Sequence, residues 1–124
     1  MTKIGTDIVR IDRIESSIQK HGDRFLRRFM SEKEITYAKK AESAAGYWAA
    51  KEALSKALGC GIGSKLTFHD ISIEKSPDGA PLVKFTKNVV DRFDISESSI
   101  SISHDGNFAI AVAIIVIEEK NKTI

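Results

Sequence analysis

Three charged residues have the types and the setting for phosphate chemistry. Glu52 and Lys56 stand four apart in Trp48-Ala49-Ala50-Lys51-Glu52-Ala53-Leu54-Ser55-Lys56-Ala57-Leu58-Gly59. That stretch is rich in good helix formers, so both side chains fall on one face, with Trp48 a further turn back. A lone pair at this spacing is most often a surface ion pair worth about 0.2–0.5 kcal/mol. The third residue, Asp7, changes the reading. It stands at the end of the predicted first strand, after Ile4-Gly5-Thr6 and before apolar Ile8 and Val9, and a carboxylate among apolar neighbours is costly to desolvate unless it is paired or binds a cation. An exposed strand end or a helix cap is the plainer explanation. Together, Asp7 and Glu52 offer oxygen ligands to Mg²⁺, which takes one or two carboxylates, waters and substrate phosphates. Lys56 adds a point charge for phosphate.

Other candidates are weaker on their own. Gly59-Cys60-Gly61-Ile62-Gly63 is a glycine-dense loop whose backbone N–H groups could meet an anion. It closes a helix, whereas a Walker A loop opens one. His104 sits at a turn, where a histidine is usually solvated. Arg10, Arg13, Lys20, Arg24, Arg27 and Arg28 crowd the N-terminal third, with Phe25 and Phe29 between them. A solvated face is the usual meaning of such a run. The interleaved aromatics suit an acidic protein partner, with charge to steer and rings to anchor.

The elements that must position these groups are legible in outline. A strand is predicted over residues 3–7, then a helix capped by Asp12 and closed by Gly22, and a short helical piece from Asp23. Ser31 with Glu34 forms a capping box for a helix to about Ala41. Ser43 is expected to cap the long helix ending at Leu58. Beyond it the pattern turns to β. A hairpin over 69–85 turns at Ser76-Pro77-Asp78-Gly79, and Thr86 caps a short helix to Phe93. A strand over 99–103 turns at His104-Asp105-Gly106-Asn107 into residues 108–117. That last run is apolar on both faces and must be covered twice. The fold class is α+β, a helical N-terminal half packed on an antiparallel sheet, with residues 1–124 as one domain.

Composition narrows the class. With 42% hydrophobic and 29% charged residues the chain reads as an ordinary soluble protein. A net charge of +2 argues against nucleic acid as partner. One cysteine, Cys60, excludes an intrachain disulfide and a cysteine-based zinc site, and fits a cytoplasmic address. No signal peptide opens the chain, and the longest apolar run is half of what a membrane span needs. A frayed polar tail is expected from Glu118 to Ile124.

The ordered motifs Ile4-Gly5-Thr6-Asp7-Ile8-Val9, Trp48 to Ala57, Gly61-Ile62-Gly63 and Ser101-Ile102-Ser103-His104 resemble those of the holo-[acyl-carrier-protein] synthases. These are the short bacterial 4′-phosphopantetheinyl transferases. The resemblance implies transfer of phosphopantetheine from coenzyme A to a serine of apo-acyl carrier protein, in support of fatty acid biosynthesis. It also implies Mg²⁺ dependence and a homotrimer with active sites between subunits. By the same resemblance Asp7 and Glu52 are the metal ligands and, with Lys56, the catalytic group. Lys56, His104, Gly61 and Gly63 line the coenzyme A site, and Arg13, Arg24 and Arg28 dock the acidic carrier. Longer transferases have another acid where Val9 stands, so a water is expected in that place. The base that takes the serine proton, Glu52 or a water on the metal, is left open. The competing readings are a non-catalytic module that binds an acidic protein, and a different phosphoryl-handling enzyme using the same carboxylates.

Overall fold

The computed structural model describes residues 1–119 and is α+β. Strand β1 (Thr2–Arg10) leads into helices α1 (Ile11–His21), α2 (Asp23–Leu26), α3 (Glu32–Tyr37) and the long α4 (Ala41–Leu58). A 3₁₀ turn (Phe68–Asp70) precedes the hairpin β2 (Ile71–Lys75) and β3 (Pro81–Phe85). Helix α5 (Lys87–Phe93) then leads to β4 (Ile95–Asp105) and β5 (Phe108–Ile117). The antiparallel main sheet has the order β1-β5-β4, and β2-β3 form a second sheet.

The core lies between the main sheet and α4. Small residues on both partners allow a close approach. Ala45, Ala49, Ala53 and Ala57 recur every fourth position of α4, and Ala109, Ala111 and Ala113 alternate along β5; all are buried. Gly5 is the tightest point. A Cβ there would lie 2.1 Å from the Ala53 carbonyl oxygen and 2.6 Å from the Ala57 nitrogen. No side chain larger than hydrogen fits, so α4 rests on the backbone of β1.

Several predicted boundaries shift. The strand of residues 3–7 extends over Thr2–Arg10 because it pairs in register with nearly all of β5, from Thr2–Val116 to Arg10–Phe108. Arg10, not Asp12, is at the N-cap of α1; the Asp12 N–H instead donates to Asn107 Oδ1 at 2.9 Å. The Ser31–Glu34 capping box is present, yet α3 stops at Tyr37 rather than Ala41. Helix α4 starts at Ala41 with Lys40 at its N-cap, so Ser43 lies inside the first turn. Gly59 ends α4 in the left-handed region, at φ 84°. The strand predicted over 99–103 runs from Ile95 to Asp105, which leaves only Gly106 and Asn107 as the turn and puts His104 in β4. Of the expected polar tail, Glu118 and Glu119 are exposed, and residues 120–124 lie outside the described residues.

Phe25, Phe29, Trp48 and Phe68 form an aromatic cluster, with Phe29 and Trp48 edge-on at 4.9 Å between centroids. Phe25 and Phe29 are buried. They therefore cannot anchor a partner as their place among the arginines suggested; the apolar positions of that segment serve the core.

Candidate active site

Alternation along β1 turns Gly5, Asp7 and Val9 toward α4 and leaves Ile4, Thr6 and Ile8 on the outer face. Because Gly5 lets the helix down onto the strand, Asp7 meets the face of α4 that carries Glu52 and Lys56. Lys56 Nζ donates to Asp7 Oδ1 at 2.7 Å. Asp7 is mostly covered, at 14% side-chain exposure, and Lys56 is half exposed at 52%. One turn earlier, Glu52 makes no hydrogen bond or ion pair through its carboxylate among the described residues. Burial pushes the Glu52 pKa up, and the neighbouring charge of Asp7 adds to the shift, while Lys56 opposes it. The hydrogen bond to Asp7 raises the Lys56 pKa. A cleft of about 420 Å³ opens beside the group, lined by Asp7, Val9, Arg13, Trp48, Glu52 and Phe108.

This donor set fits a hard divalent cation. Two carboxylates feel each other's charge, and one of them already holds a cation, the Lys56 ammonium. No third acidic, histidine or cysteine side chain joins them among the described residues. Mg²⁺ commonly keeps several waters, and apolar Val9 lines the cleft where a third acid would stand.

The remaining predicted residues do not all converge. His104 lies 3.4 Å from Glu42 Oε1, in a separate groove of about 390 Å³ with Tyr37, Tyr47 and Lys75. Glu42 precedes Glu52 by ten residues, about 15 Å along the helix, so one chain does not bring His104 to Asp7. The backbone N–H groups of Gly61 and Gly63 are engaged within their own loop. The Gly61 N–H donates to the Ser55 carbonyl at 3.2 Å and that of Gly63 to the Leu66 carbonyl at 2.8 Å. Their donors close the loop and are not presented to an anion. Arg13, Arg24 and Arg28 are exposed; Arg13 borders the cleft, and Arg24 donates to His21 Nδ1 at 3.2 Å.

One group next to the site was not foreseen. Lys51 is fully buried, and its ammonium donates to Phe29 O at 2.7 Å, Glu34 Oε1 at 2.9 Å and Phe68 O at 3.3 Å. Glu34 Oε1 also accepts from the Ser31 N–H, and Oε2 from the Ile73 N–H. Burial lowers the Lys51 pKa, and the Glu34 carboxylate opposes that shift. The knot ties α3, α4 and β2 together behind Trp48 and Glu52. Its sequence signal was a lysine on the apolar stripe of Tyr47, Leu54 and Leu58.

Comparison with known proteins places this geometry. Residues 3–113 match the model of the 4′-phosphopantetheinyl transferase superfamily. A holo-[acyl-carrier-protein] synthase of Sulfurovum sp. (strain NBC37-1) is 56% identical over 116 residues, covering 94% of this chain and 98% of the relative. The one from Campylobacter curvus is 57% identical over 112 residues, covering 90% and 98%. The crystal structure of Helicobacter pylori holo-[acyl-carrier-protein] synthase in complex with coenzyme A superposes with a TM-score of 0.89 at 51% identity, covering 91% of this chain and 99% of that one. On full-length matches of this strength, the chain belongs to the 4′-phosphopantetheinyl transferase superfamily.

Proposed function

We propose that this chain transfers 4′-phosphopantetheine from coenzyme A to a serine of apo-acyl carrier protein, releasing adenosine 3′,5′-bisphosphate, as a Mg²⁺-dependent step supporting fatty acid biosynthesis in the cytoplasm. The observation that carries the reading is that Asp7 and Glu52 line one cleft with the Lys56 ammonium bonded to Asp7, in a chain whose relatives are holo-[acyl-carrier-protein] synthases.

The serine oxygen forms a bond to the phosphorus nearest the pantetheine arm as its O–H bond breaks and the proton passes to a base at the cleft, Glu52 or a water. The bond from that phosphorus to the bridging oxygen breaks, and the rest of the nucleotide leaves with the electron pair. Such a transfer asks the protein for alignment and charge neutralisation more than covalent chemistry. The Lys56 ammonium, half exposed beside Asp7, can offset charge that develops on the leaving phosphate. Asp7 and Glu52 would hold Mg²⁺, which when bound neutralises and polarises the pyrophosphate. Arg13 at the rim, with Arg24 and Arg28, offers an exposed cationic surface to an acidic carrier.

The homotrimer is part of this proposal. The sheet face away from α4 exposes Ile4 at 67%, Ile8 at 59%, Phe108 at 44%, Ile110 at 43% and Ile114 at 42%. Register places Ile4 beside Ile114 and Ile8 beside Ile110, so the apolar groups are contiguous, and a patch of this kind marks an interaction surface. Assembly would supply the second covering that β5 demands. It would also let the His104 groove of one subunit complete the Asp7 cleft of its neighbour.

The test is to incubate the protein with coenzyme A, Mg²⁺ and apo-acyl carrier protein and weigh the carrier. The expected result is a gain of one phosphopantetheine and release of adenosine 3′,5′-bisphosphate. Carrier binding without that gain, across several carriers, would support a binding module instead. A different nucleotide product would point to another phosphoryl transfer.

A further inference from the structure

Asp7 already has a cationic partner within its own chain. Lys56 Nζ sits on its Oδ1 at 2.7 Å, while Glu52, which feels the Asp7 charge, has no bonded partner among the described residues. The half-exposed lysine stem can swing toward the cleft without disturbing α4. We infer that Lys56 is a displaceable counter-ion, which occupies Asp7 until a divalent cation takes its place and is thereby released to meet phosphate. This rests on the reading of Asp7 and Glu52 as cation ligands. An ammonium in contact with a carboxylate oxygen competes with any second cation for the same charge, so the lysine must weaken cation binding even as it serves the phosphate. Until then it offsets the repulsion between two neighbouring acids.

The probe is Mn²⁺, titrated into the full chain without coenzyme A, with free Mn²⁺ followed by electron paramagnetic resonance. Lys56→Met removes the competing charge and keeps the helix-forming stem. It is expected to bind Mn²⁺ about fivefold more tightly, the upper scale of a half-exposed ion pair. Arg13→Met removes a cation from the same cleft that does not touch Asp7 and is expected to change the affinity less than about twofold, since exposed charges out of contact are weakly coupled. An unchanged or weakened affinity in Lys56→Met, or equal gains in both variants, would overturn the inference. Asp7→Asn separates this from the underlying reading. If Asp7→Asn abolishes Mn²⁺ binding while Lys56→Met leaves it unchanged, the carboxylate site stands and the displaceable lysine falls. If Asp7→Asn binds Mn²⁺ like the parent, both fall.

Discussion

Glu52 is held where its own charge is disfavoured. Burial and Asp7 both raise its pKa, so folding disfavours its ionised form relative to the free side chain, and the stability held below the unfolded pKa is lost as the pH rises through the raised value. A cation at the site removes that loss, so stability conferred by Mg²⁺ should grow as the pH rises through the same value. For the same reason the acid-side fall of kcat/KM should come at a higher pH than an unperturbed glutamate would give. Glu52→Gln should lower kcat/KM at least about 100-fold, the scale of losing one pre-set electrostatic group, with a thermal melt that is not lowered. Full activity in that variant would dismiss the site. Lys51, its neighbour, works differently. Lys51→Met leaves the Glu34 carboxylate buried without its ammonium, and urea denaturation should show a loss of about 3–5 kcal/mol. The further change Glu34→Gln should then cost less than it does alone, because the two residues share one network. The contrast shows what single residues disclose. Glu52 and Lys56 were legible because spacing alone fixes their face of a helix. Lys51 was not, since its partners Phe29 and Phe68 stand 22 and 17 positions away. The N–H groups of Gly61 and Gly63 were misjudged because loop dihedrals, not glycine content, set where they point.

Helix α4 and strand β1 behave as one part, because 18 residues of helix lie directly on backbone at Gly5. Gly5→Ala places a methyl group 2.1 Å from the Ala53 oxygen, and the helix must lift to admit it. Overpacking of this kind costs about 1–3 kcal/mol. Lifting also carries Glu52 away from Asp7, so kcat should fall while the KM for carrier protein changes little; the reverse pattern would show that helix height does not set the site. Element ends were legible where local chemistry decides them, as at the Ser31–Glu34 box and at Gly59. They were misread at Asp12 and Ser43. Both are good capping residues, but Asn107 from the far end of the chain supplies the bond at the first, and α4 begins two residues before the second.

At the scale of the molecule, the apolar pattern of β5 announced two coverings, and α4 provides one. The other was not assignable from that strand alone, because its exposed partners Ile4 and Ile8 belong to the opposite end of the sequence. If a second copy covers this face, Ile110→Lys should sediment as a monomer at micromolar concentration while keeping its fold; an unchanged trimer would place the interface elsewhere. The basic surface makes a separate prediction. Arg28→Glu should raise the KM for carrier protein about tenfold, near the coupling of one close charge pair, and leave that for coenzyme A unaltered; equal effects would argue against a docking face. The register of the sheet also bears on how the protein is made. Thr2 pairs with Val116 and Arg10 with Phe108, and the central strand is the last of the three to leave the ribosome. Strand β1 therefore waits, unpaired and with Ile4 and Ile8 bare, until β5 has been synthesised. Contacts this distant in sequence slow folding, so a chaperone that shields the nascent N-terminus should raise the yield of native protein more than one that acts after release.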